Sequence, residues 1–439
     1  MTREVDPPRR RVPASGTSSG PGRVDTAAHL ANRHRAATRA RVIRRRRAGV
    51  LLGTLVVVAG VVAACNAVTG ATSKPKKTTS TTVARSSTTG STRPQTTQPQ
   101  TTTTTTLPAS FAVGIHTFDW VEKGRRVTHL GPTGASLPGR VLTTEVRYPT
   151  LAGATQKETV NAQPATAGGP YPVIVFAHGF ETEPIDYAPL LDGWVRAGFV
   201  VVSPIFPDEN LAAVTAAGGM DDASIADTLE DDVYSEPGDI VYVLKQLKSI
   251  GADGWGSRLS RIMNLSDVGL AGQSDGANVV AALTYASGLG GLYSRLAVAP
   301  KAVAVLSGTA WSYLPNGKIG SYGATSSSPS LLQVQSDADG CVSPSEAADL
   351  FASVQGGLSS KWFVTLLGAG HLGPYEGVAP WGAAVENVTT KFFELELGWR
   401  SPPASAAAIL TAGTVGGAAQ ITTTVGESTI PPVEVIPGC

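Results

Sequence analysis

Histidine is scarce in this chain of 439 residues: there are six, and only His371 follows residue 178. Any chemistry in the C-terminal half that needs an imidazole must use that one residue. Cysteine is sparse too, with Cys65, Cys341 and Cys439 as the whole supply. No His, Cys and Asp residues cluster at zinc spacing, so neither a metal nor another cofactor is implied. Charge is missing altogether from Ala48 to Cys65, and acid is missing from residues 66 to 110. Those gaps exclude a single uniform globular body and divide the chain by composition. The divisions are a basic region (1–47), an apolar segment (48–65), a Thr/Ser-rich linker (66–110), a body (111–400) and an Ala/Thr/Gly/Pro-rich tail (401–439).

The total of 35 bases and 34 acids conceals a strong asymmetry. The first 47 residues hold 13 arginines against Glu4, Asp6 and Asp25, whereas residues 111 to 439 hold 17 bases and 31 acids. A basic arm can mean nucleic acid, but here it runs from Arg44-Arg45-Arg46-Arg47 straight into the apolar segment, so no nucleic-acid partner is expected. Positive charge beside an apolar run sets membrane topology, with the basic side cytoplasmic. The 18 positions from Ala48 to Cys65 would make about 27 Å of helix, marginal for a span and long for a signal core. Val62-Ala63-Ala64-Cys65 resembles the bacterial lipoprotein box, in which the cysteine is lipidated. Lipidation at Cys65, an uncleaved signal-anchor and cleaved secretion stay open; the first two hold the body outside the cytoplasm on a membrane. The linker has almost nothing to bury and is expected to be a disordered stalk.

From Phe111 the texture changes. Pro172 to Ala177 and Phe199 to Val202 are continuous apolar runs rich in β-branched residues, the pattern of parallel strands covered on both faces. Val268 to Gly272, Ala302 to Leu306, Leu331 to Val334 and Trp362 to Leu367 repeat it. Between them, Tyr187–Ala197, Asp239–Ile250, Ala277–Tyr285 and Ala379–Leu397 have helical spacing. Phe111–Ile115 and Val141–Tyr148 are expected as further strands, and Ile421–Val425 as a late one. Strands alternating with helices give the α/β class, with a mostly parallel sheet and helices on both faces.

Gly272-Gln273-Ser274-Asp275-Gly276 falls between a buried strand and a helix. A serine in such a turn is lifted clear of the sheet, and the following helix aims its N-terminal amides at the same point. Ser274 is the expected nucleophile, with an ordinary helix cap as the bland alternative. His371, in Leu367-Gly368-Ala369-Gly370-His371-Leu372-Gly373, is the one histidine after it and the expected general base. The acid that orients the imidazole should follow the Leu331–Val334 strand: Asp339 is favoured, and Asp337 is the alternative. The backbone N–H groups of Phe180 and Asp275 are the expected oxyanion donors, and His178 is expected to order its loop rather than catalyse. Tyr187, Gln273, Trp311 and Tyr375 are candidate pocket residues, and no oligomeric state can be read. Asp208 to Glu236 is Ala-rich and acidic and reads as a lid or as a solvated helical face. With Cys65 assigned to the membrane segment, Cys341 and Cys439 are the candidate disulfide pair in an oxidising compartment.

These blocks, in this order, resemble the α/β-hydrolase superfamily, and in particular dienelactone-hydrolase-like proteins, platelet-activating-factor acetylhydrolases, chlorophyllases and actinobacterial polyester hydrolases. The resemblance spans most of residues 140 to 397. It implies an α/β-hydrolase fold and hydrolysis of an ester or lipid ester by Ser274, Asp339 and His371. The chain departs from many such relatives in carrying Gln273 in place of histidine and Asp275 after the nucleophile. An amidase or peptidase, and a non-catalytic envelope-binding protein on the same fold, are the alternatives.

Overall fold

The computed structural model describes residues 110–400, apart from 126, 128–138, 152–156, 217–230, 252–253, 313, 315–317 and 359, together with residues 418–422. The expectations for the basic region, the apolar segment with Cys65, the linker up to residue 109 and most of the tail fall outside the described residues. The expected membrane attachment is corrected: among the described residues no helix is long and apolar enough to cross a membrane. The expected Cys341–Cys439 bridge is corrected as well. Cys341 is disulfide-bonded, but no bridge joins two described residues, and Cys439 lies outside them.

The buried apolar runs become a mixed sheet that is parallel through its centre. Its strands are β1 (Ala112–Glu122), β2 (Arg140–Thr150), β3 (Thr159–Val160), β4 (Tyr171–Ala177), β5 (Val200–Pro204), β6 (Met263–Gln273), β7 (Ala302–Leu306), β8 (Ser330–Ser336), β9 (Lys361–Leu366) and β10 (Ala419–Thr422). Their spatial order is β10-β9-β8-β7-β6-β4-β5-β2-β1-β3. Strands β4 to β9 pair in parallel with their neighbours. The antiparallel pairings are at the margins: β2 with β5, β1 with β2, and β10 with β9.

The period of two along β4 explains why its run is wholly apolar. Val173, Val175 and Ala177 enter one core, against Ile240, Val243 and Leu244 of helix α2 (Glu236–Ser249) and Val279 and Val280 of α3 (Asp275–Tyr285). Ile174 and Phe176 enter the other, against α1 (Ala188–Ala197) and α5 (Trp381–Glu396). Helix α4 (Pro344–Ser353) follows β8 and packs on the first side. Phe176 is fully buried between the rings of Tyr187 and Trp194, at centroid distances of 4.8 and 6.1 Å. Burying a side chain of that size stabilises the fold by about 1.5–3 kcal/mol. Trp194 Nε1–H donates to Thr389 Oγ1 at 2.8 Å and so joins α1 to α5.

Order in the sheet reverses beside β4. The chain leaves β4 toward β5 on one side, and β6 returns to its other side. In an open α/β sheet the crevice at the strand C-termini opens where the order reverses. The loop after β4 and the turn after β6 are the two segments that meet there.

Candidate active site

The turn after β6 has its shape because two residues lack a side chain. A Cβ on Gly272 would lie 2.1 Å from the Gly276 carbonyl oxygen, and a Cβ on Gly276 would lie 2.2 Å from that of Ala177. The glycines therefore let β6, the start of α3 and the end of β4 press together. Between them Ser274 takes φ 56° and ψ −121°, a conformation that L residues adopt only under constraint. Its N–H donates to the Leu306 carbonyl at 3.0 Å, which ties the turn to β7.

Two further loops bring partners to Ser274. His371 Nε2 lies 2.9 Å from Ser274 Oγ, and His371 Nδ1 lies 2.8 Å from Asp339 Oδ2. Asp339 is 1% exposed. Its Oδ1 accepts the N–H groups of Cys341 and Val342 at 2.9 and 3.0 Å, and its Oδ2 also accepts Gln335 Nε2–H at 3.1 Å. Burial alone would push this carboxyl up, but the His371 bond and the two amides outweigh it and hold it below the usual carboxylate range. With Asp339 ionised, the proton on His371 belongs on Nδ1, and Nε2 is left to accept from the serine hydroxyl. Ser336 Oγ donates to the Ala369 carbonyl, so the acid loop and the histidine loop are fastened to each other.

Asp337, the alternative acid, is placed elsewhere. Its Oδ1 accepts the Gly368 N–H at 2.6 Å, which makes it a loop-to-loop tie and not a partner of His371. Asp339, Cys341 and His371 also come close enough to suggest a metal site. The donor set does not fit one: the Cys341 sulfur is in a disulfide, and the other two groups are bonded to each other.

The loop after β4 has its orientation fixed from below. Gly179 O accepts from His178 Nδ1 at 2.9 Å, Thr182 Oγ1 at 2.5 Å and Thr182 N at 3.3 Å. That carbonyl shares a planar trans peptide with the Phe180 N–H, so pinning one end points the other the opposite way. His178 is fully buried, with Nε2 accepting the Phe206 N–H at 2.9 Å. Its two bonds require the Nδ1–H tautomer, and burial pushes its pKa down to about 4. The folded state thus binds fewer protons than the unfolded chain between pH 4 and pH 6.5. His178 contributes stability that is fully present above about pH 6.5 and lost as pH falls toward 4, about 2 kcal/mol between pH 7 and pH 5. Urea unfolding of His178→Gln should show a pH 7 to pH 5 loss smaller than the wild type's by about that amount. An unchanged difference would remove His178 from the acid response.

The four expected pocket residues divide. Gln273 is 1% exposed and bridges the site: its Oε1 accepts Tyr187 O–H at 2.7 Å, and its Nε2 lies 3.3 Å from His371 Nε2. Tyr187 is fully buried, and its hydroxyl also meets the Gly179 N–H and Thr182 Oγ1. It braces the loop from behind. Tyr375 is also fully buried, with its hydroxyl 2.9 Å from Ser307 Oγ. Trp311 is half-buried and packs on Tyr234 at 5.1 Å. A groove of about 520 Å³ opens at the far end of α3 and is lined by residues such as Tyr285 and Tyr293, not by Ser274, Asp339 or His371. Thr182, Gln335 and Ser336 carry much of the positioning yet have no motif of their own; only their nearness to the β4 and β8 blocks could have drawn attention to them.

No family model matches the chain, and no curated protein matches it. Among solved structures it is similar to a ferulic acid esterase from Streptomyces cinnamoneus. Identity is 16%, covering 68% of this chain and 95% of that one, with a TM-score of 0.46.

Proposed function

We propose that the chain is a serine carboxylic-ester hydrolase working through an acyl-enzyme on Ser274. The observation that carries this reading is the unbroken line of hydrogen bonds from Asp339 through His371 to Ser274, at 2.8 and 2.9 Å. Ser274 Oγ attacks the ester carbonyl carbon while His371 Nε2 takes its proton. Asp339 keeps the imidazole oriented and offsets its positive charge. The backbone N–H groups of Phe180 and Asp275 hold the developing oxyanion, with the fixed Gly179–Phe180 peptide supplying the preorganisation this requires. His371 returns the proton to the departing alkoxide. It then activates a water that releases the acid and restores the serine.

Hydrolysis of p-nitrophenyl esters of rising acyl length, from acetate to palmitate, tests the reading and reports pocket depth. Turnover of at least one ester, abolished in Ser274→Ala, is the expected result. A folded protein that cleaves p-nitroanilides but no ester would move the assignment to an amidase. Inertness toward both substrate classes would favour a binding protein. The loop argument adds a narrower test. Thr182→Val removes one of the donors that orient the Phe180 N–H and should lower kcat by about tenfold to a hundredfold. KM should change little, and Thr182→Ser should restore the rate. A loss confined to KM would sink the positioning role.

A further inference from the structure

The acidic stretch from Asp208 to Glu236 holds nine carboxylates and no lysine, arginine or histidine. Its described carboxylates, on Asp208, Glu209, Asp232 and Glu236, are all buried. Glu209, in the loop after β5, and Glu236, the first residue of α2, are both 0% exposed. All four of their carboxyl oxygens are buried without a hydrogen-bond donor. The two carboxyl groups lie against each other, and Asp232 and Asp275 add negative charge to both.

No nearby cation bonds them, and Arg140 offsets the charge of Glu236 only through space. Arg140 is fully buried, but its Nη1 and Nη2 meet Asp232 at 2.9 and 2.6 Å, and its Nε and Nη2 meet Asp239 at 2.7 Å each. Arg125 donates to Asp239, Glu122 and the Ser235 carbonyl. Two arginines thus answer two aspartates, and the two glutamates are left over. A proton shared between them would make one O–H···O bond. It would leave one negative charge, and a second proton that removed the charge would still leave most of the acceptor capacity unanswered in a buried place, which is a costly arrangement.

We infer that Glu209 and Glu236 form the core of a binding site for a hard divalent cation of the calcium type, beneath the nucleophile turn. The available donors are all oxygen, which selects calcium, magnesium or manganese over zinc or copper, and two carboxylates balance a double positive charge. The site has a structural consequence for catalysis. The Glu209 carbonyl accepts the Glu181 N–H at 2.8 Å, inside the loop that orients Phe180. Asp275, which bears on both glutamates, directly follows Ser274. A cation there joins the β5 loop, the start of α2 and the surroundings of the reactive serine.

The test uses the full chain, stripped with EDTA, dialysed, and titrated with calcium chloride by calorimetry and by thermal unfolding. One equivalent of calcium should bind and raise Tm. Glu209→Gln and Glu236→Gln should each weaken binding by about tenfold or more, and the double variant should not respond to calcium. These are isosteric changes. If the double variant does not fold, the wild-type titration and the single variants still decide. Wild-type protein that gives neither binding heat nor a Tm change with calcium would overturn the site. So would unchanged affinity in the variants, which would assign the binding to other acidic residues. A Tm raised by Glu209→Gln in a wild type silent to calcium would replace the cation by a shared proton. None of these readouts depends on ester turnover, so the site and the proposed hydrolase can fail separately.

Discussion

Ser274→Ala should reduce ester turnover by at least about three orders of magnitude while leaving the melting temperature within a few degrees. The side chain removed is one hydroxyl at a half-buried position, so the fold loses little and the proposed chemistry loses its nucleophile. Asp339→Asn should come close in effect, with kcat down by about 10⁴, because an amide at that position favours the wrong imidazole tautomer. Asp337→Asn supplies the contrast. Its carboxylate bonds the Gly368 N–H and not His371, so kcat should fall by no more than about tenfold. Steady-state kinetics on a p-nitrophenyl ester checks all three. If the two aspartate variants behaved alike, the acid would have to be reassigned.

Arg140→Met should cost about 3–5 kcal/mol of stability, the largest loss expected from a single polar substitution in this fold. Arg140 and its two partner carboxyl groups have no exposed surface. Asp232 and Asp239 outweigh the effect of burial and raise the guanidinium pKa, so it stays charged. Methionine fills much of the same space but leaves two buried carboxylates without their main partner. An exposed pair gives the comparison: Lys301, whose side chain is half-exposed, bonds Asp267. Lys301→Ala should change stability by about 0.5 kcal/mol or less. Urea unfolding at pH 7 measures both. Equal effects would mean that burial does not govern the worth of these ion pairs.

What could be read from the sequence was what local pattern controls. Strand β4 announces itself because a strand covered on both faces needs an apolar residue at every position, and Tyr171–Ala177 supplies one. The turn around Ser274 announces itself because backbone contact of 2.1–2.2 Å with a would-be Cβ leaves glycine as the only choice at 272 and 276. The closeness of His371 to Ser274 follows from scarcity, since no other histidine comes after the serine. Strand ends were less legible. The first strand extends to Glu122, well past its alternating start, because pairing with β2 holds residues that alternate between partly buried and exposed. The late strand is Ala419–Thr422, two residues earlier than expected, because its register is set by β9.

The aromatic residues are ambiguous in sequence for a physical reason. A tyrosine near a strand end suits a pocket wall and a core equally well by composition. For Tyr187 and Tyr375 the deciding facts are hydroxyl partners far away in sequence, Gln273 and Ser307. The buried acid network was hidden in the same way. Asp232 and Glu236 look like surface charges of an acidic segment until Arg140, some 92 residues from Asp232, is brought beside them.

The most direct measurement is covalent capture of the serine. The intact protein, treated with a fluorophosphonate at neutral pH and digested, should carry a single adduct on the peptide containing Ser274. His371→Ala should suppress labelling by at least about a hundredfold while remaining folded. A folded wild-type protein that takes no label at Ser274, or that labels equally well without His371, would contradict the nucleophile–base pair on which the proposed chemistry stands.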